Sequence, residues 1–129
     1  MAKILVVEDE ATQRLLYETE ISDMGHEVLL AKDGLEAVNV VRKHRPEMVI
    51  LDLMMPNMHG LDSLKKVLSI NPNTLVIIHT AYSHYKDHFM SWAAQEYIVK
   101  SADLSELKKA IARVLAGRPR TIPSGRMNP

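Results

Sequence analysis

Hydrophobic residues fall along this chain in short solid runs, each followed by a stretch with helical spacing. The runs are KILVVE at 3–8, EVLLA at 27–31, MVILDL at 48–53, TLVIIH at 74–79 and EYIV at 96–99. They are rich in β-branched residues and bounded by turn or helix signals, the signature of strands buried on both faces. The spacing after the first run predicts a helix over 10–24 with Gly25 as its C-cap. A second helix starts at Asp33, with Glu36 three residues later in a capping-box arrangement, and stops before Pro46. Leu61, Leu64 and Leu68 mark one face of a third, which Pro72 ends. The weakly patterned SHYKDHFMSWAAQ at 83–95 predicts a shorter fourth helix. The last has Asp103 as N-cap with Glu106 three on; Leu104, Leu107, Ile111, Val114 and Leu115 face the core, and Gly117 closes it.

Five strand–helix repeats define an α/β fold, a (βα)5 doubly wound five-stranded parallel sheet with helices on both faces. One domain over 1–117 accounts for the pattern. The remainder, 118–129, is read as a disordered tail or a linker remnant, since RPRTIPSGRMNP offers almost nothing to pack. In an open parallel sheet the carboxyl ends of the strands share one edge, where ligand chemistry collects. That rule brings Glu8 and Asp9, Asp52, Thr80 and Lys100 to a single site.

Composition narrows the chemistry. The chain has 129 residues, about one domain, with 47% hydrophobic and 25% charged residues. Sixteen basic and sixteen acidic side chains balance, so no electrostatic footprint for nucleic acid or an anionic membrane exists. There is no cysteine, which excludes disulfides and thiolate metal sites. No apolar stretch approaches a bilayer span and no signal-peptide pattern opens the chain, so a cytoplasmic location is expected.

A carboxylate inside VILDLMMP costs several kcal/mol if buried without a partner. A salt bridge from Asp52 to Lys100 alone would satisfy it, but Glu8 and Asp9 add two more carboxylates to the same edge. Crowded carboxylates raise one another's pKa, and a hard divalent cation removes the conflict. Mg²⁺ takes oxygen ligands of this kind, and no histidine or cysteine stands near in sequence to favour zinc. A cation beside a nucleophilic carboxylate points to phosphoryl chemistry.

These motifs resemble one family. Glu8–Asp9 after the first strand, DLMMPNMHG from Asp52 to Gly60, Thr80–Ala81 after the fourth, and Tyr97 three residues before Lys100 are similar to the receiver domains of two-component response regulators, over residues 3 to about 116. The resemblance implies the flavodoxin-like strand order 2-1-3-4-5. It implies Asp52 as phosphoacceptor for the phosphohistidine of a sensor histidine kinase or phosphotransfer protein. Glu8, Asp9, Asp52 and the Met54 carbonyl would hold Mg²⁺. Lys100, the Thr80 hydroxyl and the Ala81 amide would bind phosphoryl oxygens. Thr80 and Tyr97 would switch the surface of the fourth helix, fifth strand and last helix, to control an unnamed downstream protein or a phosphorylation-dependent homodimer. On helix one, the family's usual kinase-docking surface, Gln13, Arg14 and Glu18 are the expected exposed candidates.

Departures from the family pattern are local. Lys100–Ser101 replaces the usual Lys-Pro, and a cis bond there would cost roughly 2.5–4 kcal/mol without proline. Met54 and Tyr82 are bulky where the family lines the path of the hydrolytic water, so slow self-dephosphorylation is expected. His84 and His88 have no third ligand near them in sequence and read as a solvated face, while strand alternation turns His79 away from the site. The alternative function is the receiver half of a longer regulator that has lost a DNA-binding or other output domain. A haloacid-dehalogenase-type phosphatase is disfavoured, because VVEDEA lacks a DxD nucleophile motif, and no Gly-rich loop supports a nucleotide-binding domain.

Overall fold

In the computed structural model, which describes residues 1–53, 60–81 and 93–117, the apolar runs are five strands of one sheet. These are β1 (Lys3–Val7), β2 (Glu27–Ala31), β3 (Met48–Leu51), β4 (Leu75–Thr80) and β5 (Glu96–Val99). Their order is β2-β1-β3-β4-β5 and every pairing is parallel, as the resemblance implied. Helices α1 (Ala11–Asp23), α2 (Gly34–His44), α3 (Gly60–Ile70) and α4 (Ser105–Gly117) complete the described elements. Most of the helix expected at 83–95, the tail 118–129, and Met54, Tyr82, His84, His88 and Trp92 lie outside the described residues.

The solid runs follow from burial on both faces. Ile4 and Val6, Met48 and Ile50, and Ile77 pack toward Tyr17 and Ile21 of α1 and Leu107, Ala110 and Ile111 of α4. The alternate residues Leu5, Val7, Val49, Leu51, Val76 and Ile78 pack toward Ala37 and Val41 of α2 and Leu64 and Val67 of α3. Two apolar cores therefore sandwich the sheet. The edge strands β2 and β5 are only half-buried, and their sequences are correspondingly less uniform.

Local signals place the helix ends. Gly25 takes φ +97 after α1, and its amide donates to the Ser22 carbonyl at 2.9 Å, a left-handed stop suited to glycine. Asp33 Oδ1 accepts from the Glu36 amide at 2.9 Å, but the Glu36 carboxylate reaches back to the Lys32 amide, one residue earlier than the capping box predicts. Arg45, in front of Pro46, ends α2 in the left-handed region (φ 47), and the following proline disfavours a further helical turn. Asp103 Oδ1 accepts from the Ser105 amide at 3.0 Å, so α4 begins at Ser105, slightly later than an N-cap at Asp103 would place it. β3 stops at Leu51 and leaves Asp52 just past the paired backbone, while β4 runs on to Thr80. Among the described residues no peptide bond is cis, and Lys100–Ser101 is trans.

Candidate functional site

The carboxyl ends of β1, β3, β4 and β5 do converge. Lys100 Nζ donates to Glu8 Oε1 at 2.8 Å and to Asp52 Oδ2 at 2.9 Å. The Thr80 hydroxyl donates to the other Asp52 oxygen, Oδ1, at 2.8 Å. Asp52 is 7% exposed and Glu8 2%, so both charges are withdrawn from water and depend on these partners. The backbone holds the arrangement in place: the Lys100 amide donates to the Thr80 carbonyl at 2.8 Å and the Glu8 amide to the Ala31 carbonyl at 3.0 Å.

The two acids of the first loop separate. Glu8 continues the inward face of Ile4 and Val6, so its carboxylate enters the site under cover, where Oε2 accepts from the Glu10 amide at 3.1 Å. Asp9 faces solvent at the same edge. The loop is tied again at its far end. Glu10 Oε1 caps α1 by accepting from the Gln13 amide, and the Arg14 guanidinium donates to the Glu8 carbonyl at 2.8 Å. Gln13, Arg14 and Glu18 are only half-exposed, and the exposed positions of α1 include the apolar Leu15 and Leu16, at 62% and 42% exposure.

Electrostatics match the burial. Loss of water raises the Glu8 carboxyl above its ordinary range, more than the Lys100 ammonium lowers it. Lys100 goes the other way: burial opposes its charge, but the Glu8 and Asp52 carboxylates together hold it firmly protonated. One ammonium is shared between two buried carboxylates, with Asp9 close by in the chain, so the edge has room for a further positive charge. Among the described residues no three acidic or histidine side chains are arranged as a metal cluster, and Lys100 Nζ is within ion-pair distance of both Glu8 and Asp52. The donor set consists of hard oxygens and fits a hard divalent cation. Met54, whose carbonyl the resemblance adds to that set, lies outside the described residues.

The second pair of expected residues sits beside the first. Thr80 follows Val76 and Ile78 on the α2/α3 face, and Tyr97 is half-buried against that same core, paired in register with Ile78. Ala81 is exposed at the end of β4. One feature was not expected. His79 does face away from Thr80, but that turns it onto the face that carries Glu8, Asp52 and Lys100, where it is buried and bonded to Tyr17. Counting alternate residues past the strand ends would have found it, since Glu8, Asp52, His79 and Lys100 all continue the apolar residues of one core.

Comparison with known proteins agrees with this geometry. Residues 4–112 match the family model of the response regulator receiver domain, and the chain belongs to that family. It is 33% identical over 115 residues to sporulation initiation phosphotransferase F of Bacillus subtilis, covering 88% of this chain and 93% of that protein. It is 37% identical to the probable transcriptional regulator ycf27 of Porphyridium aerugineum, again over 88% of this chain but only 48% of the relative. The chain therefore spans about half the length of that regulator and nearly all of the phosphotransferase. Among solved structures, response regulator protein TrrA of Thermotoga maritima in complex with Mg(2+)-BeF superposes with a TM-score of 0.84 at 38% identity, covering 88% of this chain and 99% of that one. The same regulator in complex with histidine kinase ThkA gives 0.82 at 38% identity, covering 89% and 99%. This is a signalling receiver domain of the two-component class. No helix among the described residues is long and apolar enough to cross a membrane.

Proposed function

We propose that Asp52 is the phosphoacceptor of a His-to-Asp phosphorelay, and that its phosphorylation controls partner binding through Thr80 and Tyr97. The observation that carries this reading is the buried Asp52 carboxylate with each oxygen on a different donor, Lys100 Nζ on Oδ2 and the Thr80 hydroxyl on Oδ1. Both donors are placed to follow charge from the carboxylate to an incoming phosphoryl group.

In the transfer, a carboxylate oxygen of Asp52 forms a bond to phosphorus as the bond from phosphorus to the donor imidazole breaks. The imidazole leaves with the electron pair and takes up a proton. Little covalent chemistry falls to the protein, so positioning and charge neutralisation supply the catalysis. Lys100 meets one phosphoryl oxygen as a point charge, Thr80 donates to a second, and the exposed Ala81 amide is available to another. Mg²⁺, held by Glu8, Asp9, Asp52 and the Met54 carbonyl, would neutralise phosphoryl charge. Glu8 and Asp52 must first give up the ammonium they share, which frees Lys100 for the phosphoryl group.

This reading makes the chain a signalling receiver that catalyses its own phosphorylation and slow self-dephosphorylation, rather than an enzyme acting on other substrates. Its donor would be a cytoplasmic sensor histidine kinase or phosphotransfer protein, met across the apolar strip of Leu15 and Leu16 on α1. TrrA, the relative solved with a histidine kinase, supports that class of partner. An output partner or a second copy of the chain would meet the face that Tyr97 borders. The test is incubation with acetyl phosphate, with and without Mg²⁺, followed by intact mass. A metal-dependent phosphoryl increment that Asp52→Asn lacks is expected; an increment that survives the substitution refutes the assignment.

A further inference from the structure

His79 is a buried imidazole that the phosphoryl chemistry leaves unused. It is 3% exposed, and its Nδ1 is hydrogen-bonded at 2.5 Å to the hydroxyl of Tyr17, itself 2% exposed on the inner side of α1. The two rings meet edge to face, with centroids 5.6 Å apart. Burial first, and then the Lys100 ammonium, lower the imidazole to about 4, so it is neutral at physiological pH. Burial likewise raises the Tyr17 phenol, which stays protonated. The pair is uncharged, and the Tyr17 hydroxyl has its partner in His79 Nδ1.

Its position follows from strand order and side-chain alternation. β4 lies between β3 and β5, and Lys100 starts just past β5. To reach Asp52 past β3 and Glu8 past β1, its side chain must cross the end of β4. On the face in question, the last residue of β4 is His79, which sits opposite Ile98, the residue of β5 that precedes Lys100 on that face. The Tyr17–His79 pair therefore lies along the path of the lysine stem, and both groups feel the Lys100 charge.

We propose that His79, fixed by Tyr17, is a positioning residue for Lys100: a neutral, immobilised ring that guides the ammonium across β4 onto Asp52. Chemistry at that position is restricted on two sides. A cationic side chain would repel Lys100, and an apolar one would leave the buried Tyr17 hydroxyl without a partner. The neutral imidazole avoids both. The role rests on the reading of Asp52 as phosphoacceptor, because only a transferred phosphoryl group makes the exact seat of the ammonium matter for rate.

The test uses the full chain, with acetyl phosphate as donor and Tyr17→Phe, His79→Leu and the double variant. Tyr17→Phe keeps the volume but frees the imidazole. The maximal rate of phosphoryl uptake is expected to fall roughly tenfold to a hundredfold in either single variant, the usual penalty for a small misplacement of a charge, with Mg²⁺ affinity unchanged. The double variant removes both polar groups, so it is expected to regain thermal stability but not rate. Recovery of rate together with stability would make the pair merely structural and overturn the proposal, as would wild-type uptake in both single variants. A second measurement does not depend on the variants folding. In the wild-type chain with ¹⁵N-labelled histidine, the His79 ring signals should shift when Mg²⁺ and beryllofluoride draw Lys100 from Glu8; unchanged signals with saturated protein overturn it. Failure of Asp52 as phosphoacceptor reads differently, as absent uptake in the wild-type chain itself.

Discussion

Single residues decide the chemistry here, and Lys100 decides most of it. Its ammonium occupies the space between Glu8 and Asp52 that a divalent cation would contest. A Lys100→Met variant is therefore expected to bind Mg²⁺ more tightly, by roughly tenfold or about 1.4 kcal/mol, while taking up phosphoryl groups more slowly. Titration of both proteins with Mg²⁺ by calorimetry checks this, and weaker binding in the variant would show that the ammonium organises the metal ligands instead of competing with them. His79 carries a pH signature. Folded, it resists protonation down to about 4, whereas its ordinary value is 6.5. Between those values the unfolded chain binds the extra proton, so stability rises with pH. The contribution is whole above pH 6.5 and is lost as pH falls toward 4, amounting to about 3 kcal/mol. Urea unfolding at several pH values should show a shallower slope over that window in His79→Leu than in the wild-type chain. The sequence displayed Asp52 and Lys100 openly, because a charge inside an apolar run demands a partner. It hid the Tyr17–His79 bond, since the two positions are far apart in the chain and only the placement of α1 brings them together.

Among the elements, α3 depends on its first residue. A Cβ on Gly60 would lie 2.3 Å from Leu53 Cα and 2.8 Å from the Leu53 carbonyl oxygen, and the Gly60 amide donates to that same carbonyl at 3.2 Å. Glycine lets the helix start directly against the backbone that carries Asp52. Gly60→Ala is expected to destabilise the fold by about 1–3 kcal/mol, the cost of overpacking a close contact. It should also slow phosphorylation, since Asp52 is the neighbour of the residue that must move. Thermal unfolding and acetyl phosphate kinetics measure the two effects, and a variant unaffected in both would contradict the account. Most elements were legible in the chain. The strands β1, β3 and β4 are buried on both faces and so read as unbroken apolar runs. Their ends were less legible: β3 closes at Leu51 although the apolar pattern runs on to Leu53, because pairing with β1 and β4 ends there. On α1 the resemblance to receiver domains offered Gln13, Arg14 and Glu18 as exposed residues, and all three are half-buried. Packing of Tyr17 and Ile21 fixes its rotation and leaves Leu15 and Leu16 outward.

At the scale of the whole molecule, two cores hold one sheet between helices so that four strand ends deliver their side chains to a common edge. That the chain forms a parallel α/β sheet followed from the alternation of runs and helical spacing alone. Strand order did not: it is set by which helix covers which face, which no local pattern records, and it came from resemblance to receiver domains. The two cores also divide the labour of the site. Glu8, Asp52, His79 and Lys100 extend from one face, and Thr80 and Tyr97 from the other, with the Thr80 hydroxyl bonded across to Asp52. Reduction of the phosphorylated chain with borohydride converts an aspartyl phosphate to homoserine, and peptide sequencing then locates it. Homoserine at position 52 alone, formed only in the presence of Mg²⁺, is the predicted result; homoserine at position 9, or none at position 52 in a protein that has gained the phosphoryl mass, would contradict it.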